Sequence, residues 1–296
     1  MTQQSSNTRH IVWRTQGHQG GPITRLMSPS DLGKMIKPFV FLDLFDTGTS
    51  SVDALSGMPI HPHSGVATVT VFTEGAMHYD DPNAGTGLIG FGGVEWMRSG
   101  SGIWHGKELF PADVHRIQGF QLWLSLPAEL ELSDAESFYL EEDKIADHGP
   151  AKIIVGEYKD IKSPLPTPQN VNYLLVRLQP GQHWVYEPPE GHTVGWLAIA
   201  KGKLSTPLDD LMEAGEMVVF DESISNIELS ADDVTETIFV LGSAKPHPHD
   251  LHLGHYSVHT SQDALKKGES NIVELKRKLD AAGDRRTQTG NVPVFR

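Results

Sequence analysis

Between residues 20 and 102, short apolar runs alternate with clusters of Gly, Pro, Asn and Asp, the pattern of many brief strands joined by tight turns. Residues 39–45 form one such run. Residues 66–74 form another, with Val69 and Val71 on one face and Thr68, Thr70 and Phe72 on the other. Neither face is wholly polar, so this strand is expected inside a sandwich or barrel. Asp80, Asp81, Pro82, Asn83 and Gly85 make a turn, and residues 88–91 restart a strand after it, which predicts a hairpin. Residues 118–126 are a further strand, closed by Pro127.

Residues 128–162 are rich in acidic side chains and separate this block from a second, so the connection between two domains, 1–145 and 146–296, is placed there. Pro164, Pro166 and Pro168 then exclude helix. Residues 172–178, 183–186, 194–200, 216–220 and 237–241 read as five more strands, with glycines at the turns as in the first block. A duplicated β-barrel is expected. Helical spacing appears only at the end, over 261–268 and 270–282, where Ile272, Leu275 and Leu279 share a stripe. Two short capping helices follow from it, with a polar, frayed tail from residue 284.

The chain has 296 residues, enough for two domains, and 29 Gly with 19 Pro suit an all-β, turn-rich architecture. A formal net charge of -14 opposes phosphate binding, which argues against a nucleic-acid partner. Without cysteine there is no disulfide, thiolate zinc site or cysteine nucleophile. A polar amino terminus and the lack of a long apolar run predict a cytoplasmic chain with no membrane partner.

The sharpest chemical signal is His61-Pro62-His63. On a strand, residues i and i+2 share a face about 6.5–7 Å apart, so two imidazoles can converge on one cation. His105, after the glycine-rich turn Gly100-Ser101-Gly102, supplies a third. His247-Pro248-His249 copies the spacing of the first pair, but no glycine-rich turn with a later histidine follows it, and packing or surface imidazoles are the better reading. His183 and His192 stand singly, so the second barrel is expected to be metal-free.

The ordered series His61-Pro62-His63-Ser64-Gly65, Thr68-Val69-Thr70, Glu74-Gly75, Glu95-Trp96-Met97, Gly100-Ser101-Gly102-Ile103-Trp104-His105 and Gln121-Leu122-Trp123-Leu124-Ser125-Leu126-Pro127 resembles the pirin family of bicupins, from about residue 21 to 258. The resemblance implies two tandem jelly-roll-like cupin barrels, the first holding a divalent metal ion through His61, His63, His105 and a carboxylate. Iron(II) is the first choice; manganese, nickel, cobalt, copper and zinc also suit the donor set. Where the family pattern is His-x-Glu this chain reads His105-Gly106-Lys107-Glu108. On a regular strand Lys107 would face the ion and repel it; a bulge at Gly106 would turn Glu108 onto the ligand side instead.

The resemblance implies a dioxygenase cleaving quercetin or a related hydroxylated aromatic with O2, Glu108 also taking the hydroxyl proton. The rival reading is a non-catalytic regulatory protein that acts on a protein partner. Ser64, Ala67 and Gly93 depart from the family pattern beside the pocket, which leaves the substrate open. Trp96, Met97, Trp104 and Phe110 are candidates for its aromatic-compatible wall or for plain core, and His78 for its rim.

Overall fold

A computed structural model describes residues 8–55, 59–81, 84–106 and 108–282. It divides into two compact units. One holds the described residues up to His18 with Ile145–Pro246, the other Gln19–Lys144 with the described residues from His247 onward. These units differ from a simple division at residue 145, because each end of the chain joins the other half's barrel. Strand Ile11–Thr15 pairs with Met217–Phe220 at the edge of the second barrel's sheet. The carboxyl-terminal helix contacts Ile103–His105 of the first barrel.

Each unit is built on a seven-stranded antiparallel sheet. In the first barrel the central order is Val94–Arg98, Val66–Glu74, Gln118–Ser125, Phe39–Asp46, Ile23–Met27. In the second it is Met217–Phe220, Val194–Lys201, Thr237–Ala244, Val171–Leu178, Ala151–Val155. Counted along the chain, both run fourth, third, fifth, second, first. This shared order is the duplication that the turn glycines suggested. The strand on the far edge differs in origin: Glu136–Leu140 pairs with Val94–Arg98 in one barrel, while Ile11–Thr15 takes that place in the other.

Two departures from the expected elements have local causes. Strands Glu136–Leu140 and Ala151–Val155 lie inside the segment read as an acidic connection. Glu136 is accommodated by an ion pair to Arg98 across the ladder at 3.0 Å, and Ala151–Val155 is a nearly continuous apolar run. A hairpin forms, from Met77–Asp81 and Gly85–Ile89, but Asp80, Asp81 and Gly85, read as turn, are paired strand residues, and the second strand runs over 85–89 and not 88–91; Pro82 and Asn83 lie outside the described residues.

The end of the chain folds as one helix, Gln262–Ala282, not two. Its stripe of Ala264, Leu265, Ile272, Leu275 and Leu279 is buried, and the indole of Trp104 donates to the carbonyl of Ile272 at 3.0 Å. Gly268, read as a break, is instead a contact point. A Cβ there would lie 2.5 Å from Nε2 of His259 and 2.6 Å from Oγ of Ser64. Those two atoms are themselves hydrogen-bonded at 2.9 Å, and Nδ1 of His259 lies 3.0 Å from Oε2 of Glu131. The same carboxylate accepts from the backbone and hydroxyl of Thr260, each at 2.7 Å. All three side chains of this Ser64–His259–Glu131 chain are buried, so it fastens the carboxyl-terminal segment to the first barrel. The tail beyond Ala282 lies outside the described residues.

The second barrel closes on an apolar interior that includes Leu174, Tyr186, Leu197, Phe239 and Leu241. His192 sits beside it, its Nδ1 3.0 Å from Oγ of Ser243, and burial with the charges of Lys245 and Arg9 lowers its pKa to about 4.

Two predictions follow from this packing. Gly268→Ala adds helix propensity yet should lower stability by about 1–3 kcal/mol, since the methyl enters a filled contact; the exposed Lys267→Ala on the same helix should be near neutral by thermal denaturation. His192 takes up a proton more readily unfolded than folded, so its contribution is intact above the ordinary histidine pKa and is lost as pH falls toward about 4. His192→Asn should therefore flatten the fall of melting temperature between roughly pH 6.5 and 4.

Candidate metal centre

His61–His63 and Ile103–His105 form a two-stranded antiparallel ladder in which His105 is opposite His61 and Ile103 opposite His63. Proline between the two histidines fixes an extended backbone, and alternation sends both imidazoles to one side. Pairing then brings the third. The ring centroids lie 4.8 Å apart for His61 and His63, 4.6 Å for His61 and His105, and 4.9 Å for His63 and His105. One ligating nitrogen from each falls within 4.8 Å of the others.

Hydrogen bonding decides which nitrogens face inward. Nδ1 of His61 donates to the carbonyl of Pro59 at 3.0 Å, and Nδ1 of His63 donates to that of Tyr256 at 3.3 Å. A carbonyl only accepts, so both Nδ1 atoms carry the proton and both Nε2 atoms keep a lone pair. In His105, Nδ1 lies 2.6 Å from Oε1 of Glu108, and Nε2 is buried with no hydrogen-bond partner. Three outward-held Nδ1 atoms and a partnerless buried Nε2 are the arrangement a divalent cation needs.

The protonation states of His61 and His63 agree. Burial, then the neighbouring His105, lowers the pKa of His61 to about 4. Burial followed by His105 and His61 holds His63 well below its ordinary value. Both imidazoles are therefore neutral near pH 7. For His105 burial alone would lower the pKa, but the Glu108 carboxylate outweighs it and the net shift is upward. Burial likewise opposes the charge on Glu108, and His105 outweighs it, so Glu108 is lowered.

The strand stops at His105, and Gly106 takes φ of +123°, a conformation that side chains with a Cβ rarely adopt. At this turn Glu108 is buried against His105 and does not join the group formed by His61, His63 and His105. Its oxygens are both engaged, Oε1 by His105 and Oε2 by the backbone N–H of Gly106 at 2.8 Å. Glu108 thus stands behind His105, available as a fourth ligand only at the cost of one of these bonds. Lys107 lies outside the described residues.

His61 borders both lobes of a cleft, and His105 lines the inner one. An inner lobe of about 130 Å³ is lined by Phe45, Phe72, Met77 and Leu109 together with Glu95 and Glu108. An outer lobe of about 400 Å³ is lined by Arg25, Phe41, Trp123 and Tyr256. Ile23, Asp43, His61 and Gln121 border both. The suggested wall residues do not line it. Trp96 and Met97 are fully buried, Trp104 bonds the helix, and Phe110 stacks on exposed His78 at 5.4 Å.

Two residues of the site were not singled out from the sequence. Glu95 accepts from Oγ1 of Thr70 at 2.7 Å, and burial, then the charge of Glu108, raises its pKa to about 7. A lone acid between Val94 and Trp96 in an apolar strand was the available signal. Tyr256 holds His63 through its carbonyl, and its ring lies 5.5 Å from that of His61, on a backbone with φ of +61°. Nothing in the sequence ties it to residue 63. His247 and His249 lie with ring centroids 5.5 Å apart, and no third ligating group joins them among the described residues.

The pirin family model matches residues 22–124. A pirin-like protein of Caulobacter vibrioides is 42% identical over 131 residues, 44% of this chain and 46% of that protein, so the chain spans about half of that relative's length. A pirin-like protein of Arabidopsis thaliana is 30% identical over 197 residues, 63% of this chain and 68% of its own. A protein of Pseudomonas aeruginosa, provisionally named a quercetin 2,3-dioxygenase, is 27% identical over 239 residues, covering 77% and 83%. Among solved structures, a quercetin 2,3-dioxygenase from Acinetobacter baumannii superposes with a TM-score of 0.76 at 23% identity, over 91% of this chain and 98% of that one. This likeness establishes the two-cupin fold.

The geometry predicts that nickel(II) titration of the chelator-stripped protein ends near one ion per chain and that His63→Ala binds none under the same conditions. Glu108→Ala should weaken binding by about 10–100-fold, the usual effect of removing a histidine's supporting carboxylate. Elemental analysis after desalting reads both.

Proposed function

This chain belongs to the pirin family, and on that premise we propose that it is a metal-dependent dioxygenase that cleaves a flat, hydroxylated aromatic of the flavonol type with O2. The observation that carries the reading is the convergence of three imidazoles, with Nε2 free, at the border of an apolar cleft. The provisional name of the Pseudomonas relative supports the same chemistry.

In this reading His61, His63 and His105 hold one divalent ion, iron(II) for preference, and Glu108 keeps His105 in the ligating tautomer. The bound ion would supply Lewis acidity toward a substrate hydroxyl and a route for electrons to O2. The chain's own residues do the rest. Phe45, Phe72, Met77 and Leu109 make a dry, ring-sized lobe that excludes water and receives an aromatic face. Glu108, buried beside that lobe, is the base assigned to the substrate's hydroxyl proton. The Pro59 and Tyr256 carbonyls fix the other two rings, so the ligand set is organised before substrate arrives.

Iron(II)-loaded protein should consume O2 in proportion to added quercetin, and His63→Ala should lose at least about 100-fold of that rate. Oxygen-electrode traces with product analysis check it. Equal rates in wild type and variant would contradict metal-dependent turnover. No turnover in a fully loaded wild type would favour a metal-binding protein that works through a protein partner.

A further inference from the structure

The two barrels share a strand order but place opposite chemistry along it. In the first, one row of side chains crosses five strands: Arg25 opposite Asp43, Asp43 opposite Gln121, Gln121 opposite Thr70, Thr70 opposite Glu95. In the second, the row across the same succession of strands is Ile153, Leu174, Leu241, Leu197 and Val218, every one in the apolar core. Burying polar side chains costs free energy unless they are paired, and the second barrel shows that a sheet of this order closes without them.

Pairing engages four of the five, although Oε1 of Glu95 is buried without a hydrogen-bond partner among the described residues. Arg25 grips Asp43 through Nε at 2.5 Å and Nη2 at 3.1 Å, and Thr70 donates to Glu95 at 2.7 Å. The side chain of Gln121, at the centre, makes no hydrogen bond among the described residues. It is also one of the few residues bordering both lobes, beside His61 and Asp43. Phe120 and Leu122 on either side point to the opposite face and are fully buried. A glutamine amide offers both donor and acceptor, which matches a hydroxyl or a carbonyl and contributes nothing to a bare hydrocarbon ring. Arg25 extends the row into the outer lobe, its guanidinium 4.1 Å over the ring of Phe41 and its side chain 47% exposed.

We propose that this polar row recognises the oxygen substituents of a polyhydroxylated planar ligand, with Gln121 as its specificity-determining residue. The proposal rests on the reading of the metal centre given above and narrows its substrate class: substituents beyond the metal-facing oxygen are read at the border of the lobes. A side chain kept for that purpose is kept at the expense of stability.

The test compares wild type with Gln121→Leu, the residue the second barrel carries at Leu241, both nickel-loaded and anaerobic. Quercetin and 3-hydroxyflavone are titrated by quenching of intrinsic tryptophan fluorescence, with nickel per chain and melting temperature as companion measurements. The variant should bind quercetin about tenfold more weakly, the worth of one buried hydrogen bond, while its affinity for 3-hydroxyflavone moves by less than about twofold. Nickel content should be unchanged and the melting temperature unchanged or higher. Parallel loss of both flavonols, unaltered quercetin affinity, loss of nickel or a lower melting temperature would each overturn the proposal. A wild type that binds neither flavonol removes the substrate class proposed above. Melting temperature then decides the row: a variant at least as stable as wild type supports ligand recognition, and a less stable one overturns it.

Discussion

The site depends on the antiparallel pairing of two three-residue strands. With His105 opposite His61, three imidazoles share one face; a slip of one residue would send His105 to the other side. So short a ladder does not hold its own register. It is stiffened by Pro62 within it and held from outside by the turn at Gly106 that brings Glu108 back under His105 and by the helix that takes the Trp104 indole. The carboxyl-terminal segment adds the Tyr256 carbonyl beneath His63 and is itself tied down by Ser64, His259 and Glu131. Ser64, the residue next to the candidate ligand His63, thus belongs to a fastening and not to the pocket.

A second constraint comes from the duplicated sheet. One strand order serves two interiors, and the difference lies in which side chains face inward. The second barrel fills its middle with Leu, Ile and Val and spends its polarity at one end, where Arg9 donates to the carbonyls of Ser225, Thr193 and His192. The first leaves its middle open and lines it with acids, an amide and imidazoles. The open cleft therefore lies in the barrel that gives up core, with the exchanged chain ends compensating: the carboxyl-terminal helix buries five apolar side chains in that same unit.

How much of this was legible in the sequence follows the range of the interactions. Period-2 alternation is local, and Val66–Glu74 and His183–Tyr186 have the bounds their pattern indicates. The histidine pair is local too, and the glycine-rich turn before His105 was enough to nominate the third ring. The Gly106 turn was legible as a conformational need, but the destination of Glu108, behind a ligand and bonded to it, depends on side-chain geometry that spacing does not encode. Tyr256 and His259 act on residues 193 and 195 positions away, and no pattern in the chain marks such pairs. The polar row was invisible for another reason. Its members lie on five strands, and only the register aligns them. Gly268 shows the reverse error: a local helix breaker was real as a propensity, but close packing required the missing side chain.

The central claim is that three imidazoles, each held through Nδ1, meet at one point through Nε2. X-ray absorption fine structure of the nickel-loaded protein measures this most directly, because imidazole rings leave a characteristic outer-shell scattering. The expected best fit has three imidazoles per nickel. A fit with one or none, or with only oxygen donors, would contradict it.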